Sequence, residues 1–245
     1  MTDIHCHILP GFDDGAADMA EALNMIRMSQ ASGVTDLAVT PHFMGERQSL
    51  GLLNRMYVRY ERLTHAVRTE GIPIRLYPGA EILCLPQTVE LAREHLLPTL
   101  GNSSYVLCEF YFDTPFEEMD AILDEIAACG YQPVVAHPER YEAIQNDPRG
   151  VDLWFRKGFV IQLNKGSILG AFGYRVQKTA EWILGGGLAH VVASDAHSIS
   201  RRTTDMQPVR EHLLQKYPAE YVQILTQYNP ARLLRGLEMF PDFRL

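Results

Sequence analysis

The chain has little of what marks several large protein classes. It has no surplus of positive charge: 22 Lys and Arg stand against 30 Asp and Glu, a formal net charge of −8 at pH 7. A nucleic-acid binder would carry a basic stripe, so that class is disfavoured. No apolar run approaches the roughly 20 residues needed to cross a bilayer. The chain opens on the strand-like Met1-Thr2-Asp3-Ile4, with no secretory leader ahead of it, and a cytoplasmic location is expected. Neither an internal repeat nor a low-complexity linker interrupts it, so residues 1–245 are expected to form one domain. Only four cysteines occur, Cys6, Cys84, Cys108 and Cys129, without a C-x-x-C pair. Reduced, mostly buried thiols are expected of them, with Cys6 turned away from its neighbours His5 and His7 by strand alternation.

What is present is a regular alternation of strand-like and helix-like segments. Apolar, β-branched runs near 2–6, 34–40, 74–79, 104–110, 132–137, 159–164 and 189–194 predict seven strands. Helices are expected over Asp18–Gln30, where Met19, Ala22, Leu23 and Ile26 recur at helical spacing, and over Leu52–Thr69. Others are expected over Thr88–Glu94, Glu117–Cys129, Val151–Lys157, Arg175–Leu184 and Met206–Lys216. The tail Ala219–Leu237 reads as helix broken around Asn229-Pro230. Seven strand-then-helix units imply a parallel sheet with right-handed crossovers.

Nine potential metal ligands are spread along the chain, most of them just after a strand-like run. They are His5, His7, Asp14, His42, Glu81, Glu109, His137, Asp195 and His197. An open sheet would spread its strand ends along a line, whereas a closed α/β barrel brings the first and last strands to one mouth. A barrel of about seven strands, with metals at the carboxyl ends of its strands, is therefore expected. His5 and His7, two apart on a strand, point the same way and can grip one cation; Asp195 and His197 repeat that spacing. Mixed imidazole and carboxylate donors suit manganese, iron or zinc, and the lack of thiolate ligands argues against a structural zinc. Asp14 is preferred to Asp13 as the loop ligand. Asp3 shares the parity of His5, which suits a supporting role. His65, His95 and His212 are expected on solvated helix faces, and His190 is expected to point away from the site.

These residues resemble the PHP family, named for polymerase and histidinol phosphatase domains, and within it the bacterial protein-tyrosine phosphatases of capsule and exopolysaccharide operons. The resemblance is carried by Asp3-Ile4-His5-Cys6-His7-Ile8-Leu9-Pro10, Asp13-Asp14-Gly15-Ala16, Thr40-Pro41-His42 and Pro78-Gly79-Ala80-Glu81-Ile82. It continues through Glu109-Phe110, Ala136-His137-Pro138-Glu139-Arg140, Gly170-Ala171-Phe172-Gly173 and Ala193-Ser194-Asp195-Ala196-His197. It implies a distorted (β/α)7 barrel, the PHP fold, carrying three divalent metal ions, usually manganese, with iron or zinc in related sites. His5, His7, Glu81 and Asp195 would hold the first; Glu81, Glu109 and His137 the second; Asp14, His42 and His197 the third. Arg140 and Arg202, with Arg201 as rival to the latter, would grip the phosphoryl group bidentately. Phe43 after His42 and Ser198 after His197 depart from the common pattern at what would be the pocket rim.

The resemblance implies hydrolysis of phosphotyrosine by in-line attack of a metal-bound hydroxide. It also implies a partner, the phosphotyrosine-bearing tail of a membrane tyrosine kinase for polysaccharide export. The alternative cysteine route needs an Arg six positions after the nucleophile, and those positions hold Phe12, Glu90, Thr114 and Val135. Two rival readings stand beside this one: a small-molecule phosphatase such as histidinol phosphatase, sharing the same metals, and a non-catalytic metal-binding accessory domain, a kind that usually lacks some of the ligands.

Overall fold

A computed structural model describes residues 1–240; positions 241–245 of the expected 1–245 unit lie outside the described residues. Seven strand paths run parallel, two of them in two pieces. They comprise β1 (Thr2–Asp3), β2 (Asp36–Val39), β3 (His42–Met44), β4 (Arg75–Pro78), β5 (Glu81–Leu83), β6 (Tyr105–Glu109), β7 (Gln132–Ala136), β8 (Val160–Asn164) and β9 (Val191–Ala193). The pairing order is β1-β2-β4 in one sheet and β3-β5-β6-β7-β8-β9 in the other. Because β3 continues β2 and β5 continues β4, the two sheets share a wall. Cys6 bridges to Ala196 in parallel register, with His7 N donating to Ala196 O at 2.8 Å and Asp195 N to His5 O at 2.9 Å. The hydrogen-bonded ring therefore closes at the mouth, between the first and last strands.

At the opposite end β1 and β9 do not pair, and this is the distortion of the barrel. Asp3 Oδ1 accepts from Ser194 N at 3.0 Å, a side chain standing in for a ladder bond. Beneath it, Asn229 Nδ2 donates to His190 O at 3.2 Å. The interior is a separate apolar cluster, with Ile4, Ala38, Leu107, Val134, Val160 and Val191 filling it and Leu233 and Leu234 closing the bottom. Such inward layers make the barrel a packed core rather than a pore.

Helices cover the outside: α1 (Met19–Ala31), α2 (Leu50–Thr69), α3 (Thr88–Arg93), α4 (Phe116–Ala128), α5 (Glu142–Asn146), α6 (Arg149–Arg156), α7 (Lys165–Ile168), α8 (Tyr174–Gly185), α9 (Gln207–Lys216), α10 (Ala219–Gln223) and α11 (Asn229–Leu233). Asp18, expected inside the first helix, is its N-cap, accepting from Glu21 N at 2.9 Å. The tail helix is disturbed earlier than expected. A π-helical turn over Ile224–Tyr228 precedes Pro230, and the helix ends at Leu233 rather than Leu237. Proline lacks an N–H, and wider i→i+5 pairing accommodates the missing donor. Two further corrections concern α5 and α7, each too short to show a hydrophobic period. Among the described residues no helix is long and apolar enough to cross a membrane.

Candidate metal centre

Each of the nine expected ligands reaches the carboxyl-end mouth. Ligand atoms fall into four overlapping groups, each within 4.8 Å of one another: His7, Asp14, His42 and His197; His5, His7 and Glu81; His5, His137 and Asp195; and His42, Glu81 and Glu109. Glu81 is the hub. Its Oε1 lies 2.8 Å from His137 Nε2 and 3.2 Å from His5 Nε2, and its Oε2 lies 3.2 Å from His7 Nε2 and 3.1 Å from His42 Nδ1. Glu109 stands 3.6 Å from His137 and 3.5 Å from His42. Asp14 Oδ1 is 3.5 Å from both His42 and His197. The groups share members more freely than the three sets implied by the resemblance, since His7 joins Asp14, His42 and His197, and His137 joins His5 and Asp195.

The backbone is bent to deliver two of these side chains. His137 and Asp195 have φ of 37° and 49°, the left-handed region that non-glycine residues seldom adopt. Each follows the last residue of a strand by one or two positions, and strain of about 1–3 kcal/mol per residue is held there by the surrounding packing. Asp3 Oδ1 accepts from His5 N at 3.3 Å as well as from Ser194 N. One buried carboxylate thus ties the H-x-H segment to the D-x-H segment. Gly15 has a steric reason: a Cβ there would stand 2.0 Å from His7 O. The loop carrying Asp13 and Asp14 can lie against the first strand only without a side chain at that position.

Both loop aspartates are employed, in different ways. Asp13 Oδ2 sits 2.8 Å from His7 Nδ1 and also accepts from His42 N at 2.9 Å. It orients two imidazoles, while Asp14, two-thirds exposed, faces the cluster. Gln162 Oε1 lies 2.9 Å from His5 Nδ1, and Asn164 Nδ2 donates to Asp195 Oδ2. Neither was foreseen. A polar pair alternating inward on an otherwise apolar strand, Gln162 and Asn164, is the signal that could have revealed them. Glu139, fully buried, accepts from Asn164 N at 2.9 Å and so holds the β7 turn to the end of β8.

Arg140 Nη1 is 3.3 Å from Asp195 Oδ2; Arg202 pairs with the same oxygen and donates from Nε to Asp195 O at 3.1 Å. Arg201 is exposed. The Arg140 guanidinium is stacked between Phe112 and Phe172, 4.4 and 4.7 Å from their ring centres. Phe43, expected at the rim, is 1% exposed and packs into the outer core, so Met44 is the exposed residue there. His95 is likewise corrected: it lies in a turn beyond α3 with φ of 56°, not on the helix. His190 does point away, bonding Ile161 N and stacking on Phe155. The Cys6, Cys84 and Cys108 thiols are buried, Cys129 is half-buried, and all four are unbridged.

Burial and charge crowding dominate the electrostatics. Burial, followed by the neighbouring Glu81 carboxylate, pushes Glu109 up to about 7. Burial also resists protonation of His7, but Asp13 and Glu81 outweigh it and raise that imidazole to about 10. His137 and His197 go the other way, to about 4, chiefly through burial. Asp195 is held at about 2, burial being overcome by His5 and the nearby cationic groups.

The donor set fits divalent cations. Ligand bonds of about 2.0–2.2 Å put neighbouring donor atoms around one cation roughly 3 Å apart, the spacing found here. His5 Nε2 and His7 Nε2 face each other at 3.2 Å, and buried His197 Nε2 has no hydrogen-bond partner among the described residues. A cation between such groups would satisfy these nitrogens and relieve the repulsion between Glu81 and Glu109.

Known proteins resemble this chain along nearly its whole length. Residues 1–235 match the family described as capsular polysaccharide synthesis, CpsB/CapC. The tyrosine-protein phosphatase YwqE of Bacillus subtilis strain 168 is 32% identical over 250 residues, covering 98% of this chain and 94% of that protein. The putative tyrosine-protein phosphatase CapC of Staphylococcus aureus is 33% identical over 205 residues, covering 82% and 79%. A crystal structure from a study of YwqE of Bacillus subtilis and CpsB of Streptococcus pneumoniae, described as unique metal-dependent tyrosine phosphatases, superposes with a TM-score of 0.87. It is 30% identical and covers 100% of this chain and 99% of its own. The phosphotriesterase of Mycobacterium tuberculosis, 11% identical with a TM-score of 0.56, covers 91% of this chain and 86% of its own and shares the fold alone.

Proposed function

This chain belongs to the CpsB/CapC family of capsular polysaccharide synthesis, and on that footing we propose that it is a metal-dependent protein-tyrosine phosphatase. The observation that carries the proposal is the meeting of nine His, Asp and Glu side chains in one mouth with two arginines aimed at the same place. Its relatives are named tyrosine-protein phosphatases, and the cluster supplies what a phosphomonoester hydrolase needs.

We assign three divalent cations to the cluster, manganese before iron or zinc, as the family resemblance implies; carboxylate and imidazole donors without thiolate suit any of these ions. Bound there, they would lower the pKa of coordinated water from about 15.7 toward 7 and offset phosphoryl charge. His5, His7, His42, Glu81, Glu109, His137, Asp14, Asp195 and His197 are the holding residues. Asp13 and Gln162 keep His7 and His5 in their orientations through the far ring nitrogen. Arg140 and Arg202 bind the phosphoryl oxygens, Asp195 and the flanking phenyl rings fixing their planes beforehand. A departing phenolate has a pKa near 10, so it needs less proton assistance than a serine alkoxide.

The chain is read as one catalytic unit over 1–245, supported by a strand ring that draws ligands from residue 5 to residue 197. Four unbridged thiols support a reducing, cytoplasmic setting. The substrate proposed is the phosphotyrosine-bearing tail of a membrane tyrosine kinase that drives polysaccharide export, which places this enzyme in the control of capsule or exopolysaccharide synthesis. Turnover of a phosphotyrosyl peptide by chelator-stripped protein, before and after adding manganese, tests the activity. Loss and recovery are expected; full activity without metal refutes it. Faster hydrolysis of histidinol phosphate than of the peptide would refute the protein substrate.

A further inference from the structure

A groove of about 380 Å³ opens directly beside the cluster, and its lining is apolar. From His42 and Glu109 it passes over Leu83, with Met44 on one side and Phe110, Tyr111 and Phe112 on the other. Met44, Tyr111 and Phe112 are 39%, 55% and 41% exposed. So many large apolar side chains gathered at one surface point mark a contact site.

Two strand ends that deliver ligands also deliver this rim. β3 carries Met44 two residues beyond His42, and the turn after β6 carries Tyr111 and Phe112 just beyond Glu109. The rim is held in place. Thr114 N donates to Tyr111 O at 3.0 Å, Glu142 N donates to Phe112 O at 2.8 Å, and the Phe112 ring is covered by the Arg140 guanidinium.

We propose that this groove seats the phenyl ring of the phosphotyrosyl side chain, with Met44 and Tyr111 as the residues that favour an aryl over an alkyl phosphate ester. The inference rests on the phosphatase reading above. In an aryl phosphate a single oxygen joins phosphorus to the ring, so a phosphoryl group at the cluster puts the ring against whatever surface adjoins the ligands. This groove includes the ligands His42 and Glu109. Another large apolar cavity, about 440 Å³ between α2 and residues 95–102, includes none of the nine. An alkyl ester of serine or threonine offers only one or two aliphatic carbons at that distance and leaves the rim unfilled. Aromatic rings and methionine sulfur both gain from contact with a further ring.

The test uses phenylphosphonate and methylphosphonate, whose C–P bonds resist hydrolysis, titrated calorimetrically into the manganese-loaded full chain. Peptide kinetics are measured in parallel. The wild type is expected to bind the phenyl compound more tightly. Met44→Ala and Tyr111→Ala are each expected to cut that preference about threefold to tenfold. Methylphosphonate affinity should stay the same, and for a phosphotyrosyl peptide KM should rise while kcat holds. Both side chains are exposed, and unchanged thermal melting would exclude misfolding. Equal loss for both phosphonates, or no change in either variant of an enzyme whose wild type hydrolyses the peptide, overturns the aryl site and leaves the phosphatase reading standing. A wild type inert toward the peptide with every divalent cation overturns both.

Discussion

Asp13 Oδ2 lies 2.8 Å from His7 Nδ1, on the side of the ring opposite Glu81. With a cation at Nε2 the ring would keep a single proton on Nδ1, and the carboxylate would hold that proton and aim Nε2 at the cluster. Carboxylate partners of this kind commonly change metal affinity or activity by about 10–100-fold when lost. Asp13→Ala is expected to weaken metal binding within that range with circular dichroism unaltered. Metal titration monitored by calorimetry would show it, and wild-type affinity in the variant would remove Asp13 from the site.

Arg140 and Arg202 converge on Asp195 from different elements, the turn after β7 and the loop after β9. Lysine keeps the charge but not the fork. Arg140→Lys and Arg202→Lys are each expected to lower kcat about 100-fold, the scale of losing one donor to a developing anion. Metal content by elemental analysis should be retained. A kcat within twofold of wild type in both variants would show that neither arginine meets the phosphoryl group.

The thiols lie apart from the chemistry. Cys6, Cys84 and Cys108 are 0%, 3% and 0% exposed, and burial pushes the Cys6 and Cys84 thiols well above their ordinary values. Iodoacetamide applied to the native protein is therefore expected to leave peptide hydrolysis intact, with modification at Cys129 alone by mass spectrometry. Inactivation that tracks alkylation would revive a cysteine nucleophile.

Asp36 provides a stability handle remote from the metals. Burial alone would raise its pKa, but Arg75, Thr35 and Tyr77 hydrogen bonds outweigh that and lower it. A depressed folded pKa stabilises the protein above the unfolded value of about 3.9, and that contribution vanishes as pH falls through the folded value. Arg75 is largely exposed, so solvent screens the pair. Asp36→Asn is expected to cost about 1 kcal/mol at pH 7 and less near pH 2. Urea midpoints at the two pH values measure this, and an equal loss at both would contradict it.

The seven strand paths were legible because each is a mostly apolar run between turn residues, as strands covered on both faces tend to be. The second pieces, β3 and β5, were not. They follow Thr40-Pro41 and Gly79-Ala80, where the sequence signals a stop, and only pairing between neighbours resumes the strand. The ligands were legible because His and carboxylates after apolar runs are conspicuous. Gln162 and Asn164 sit inside such a run and look like ordinary polar interruptions.

The amino-acid order alone determined which side chains could hold cations and that they stand at strand ends, since both facts are local. How those ends share ligands, with Glu81 at the centre, and which aspartate faces the cluster were decided only by tertiary closure. So were the sandwiching of Arg140 by Phe112 and Phe172 and the apolar groove beside His42. Each joins residues far apart in the chain, and the Cys6–Ala196 bridge alone spans 190 positions. Local propensity has no information about distances across that many residues; ring closure and packing supply it.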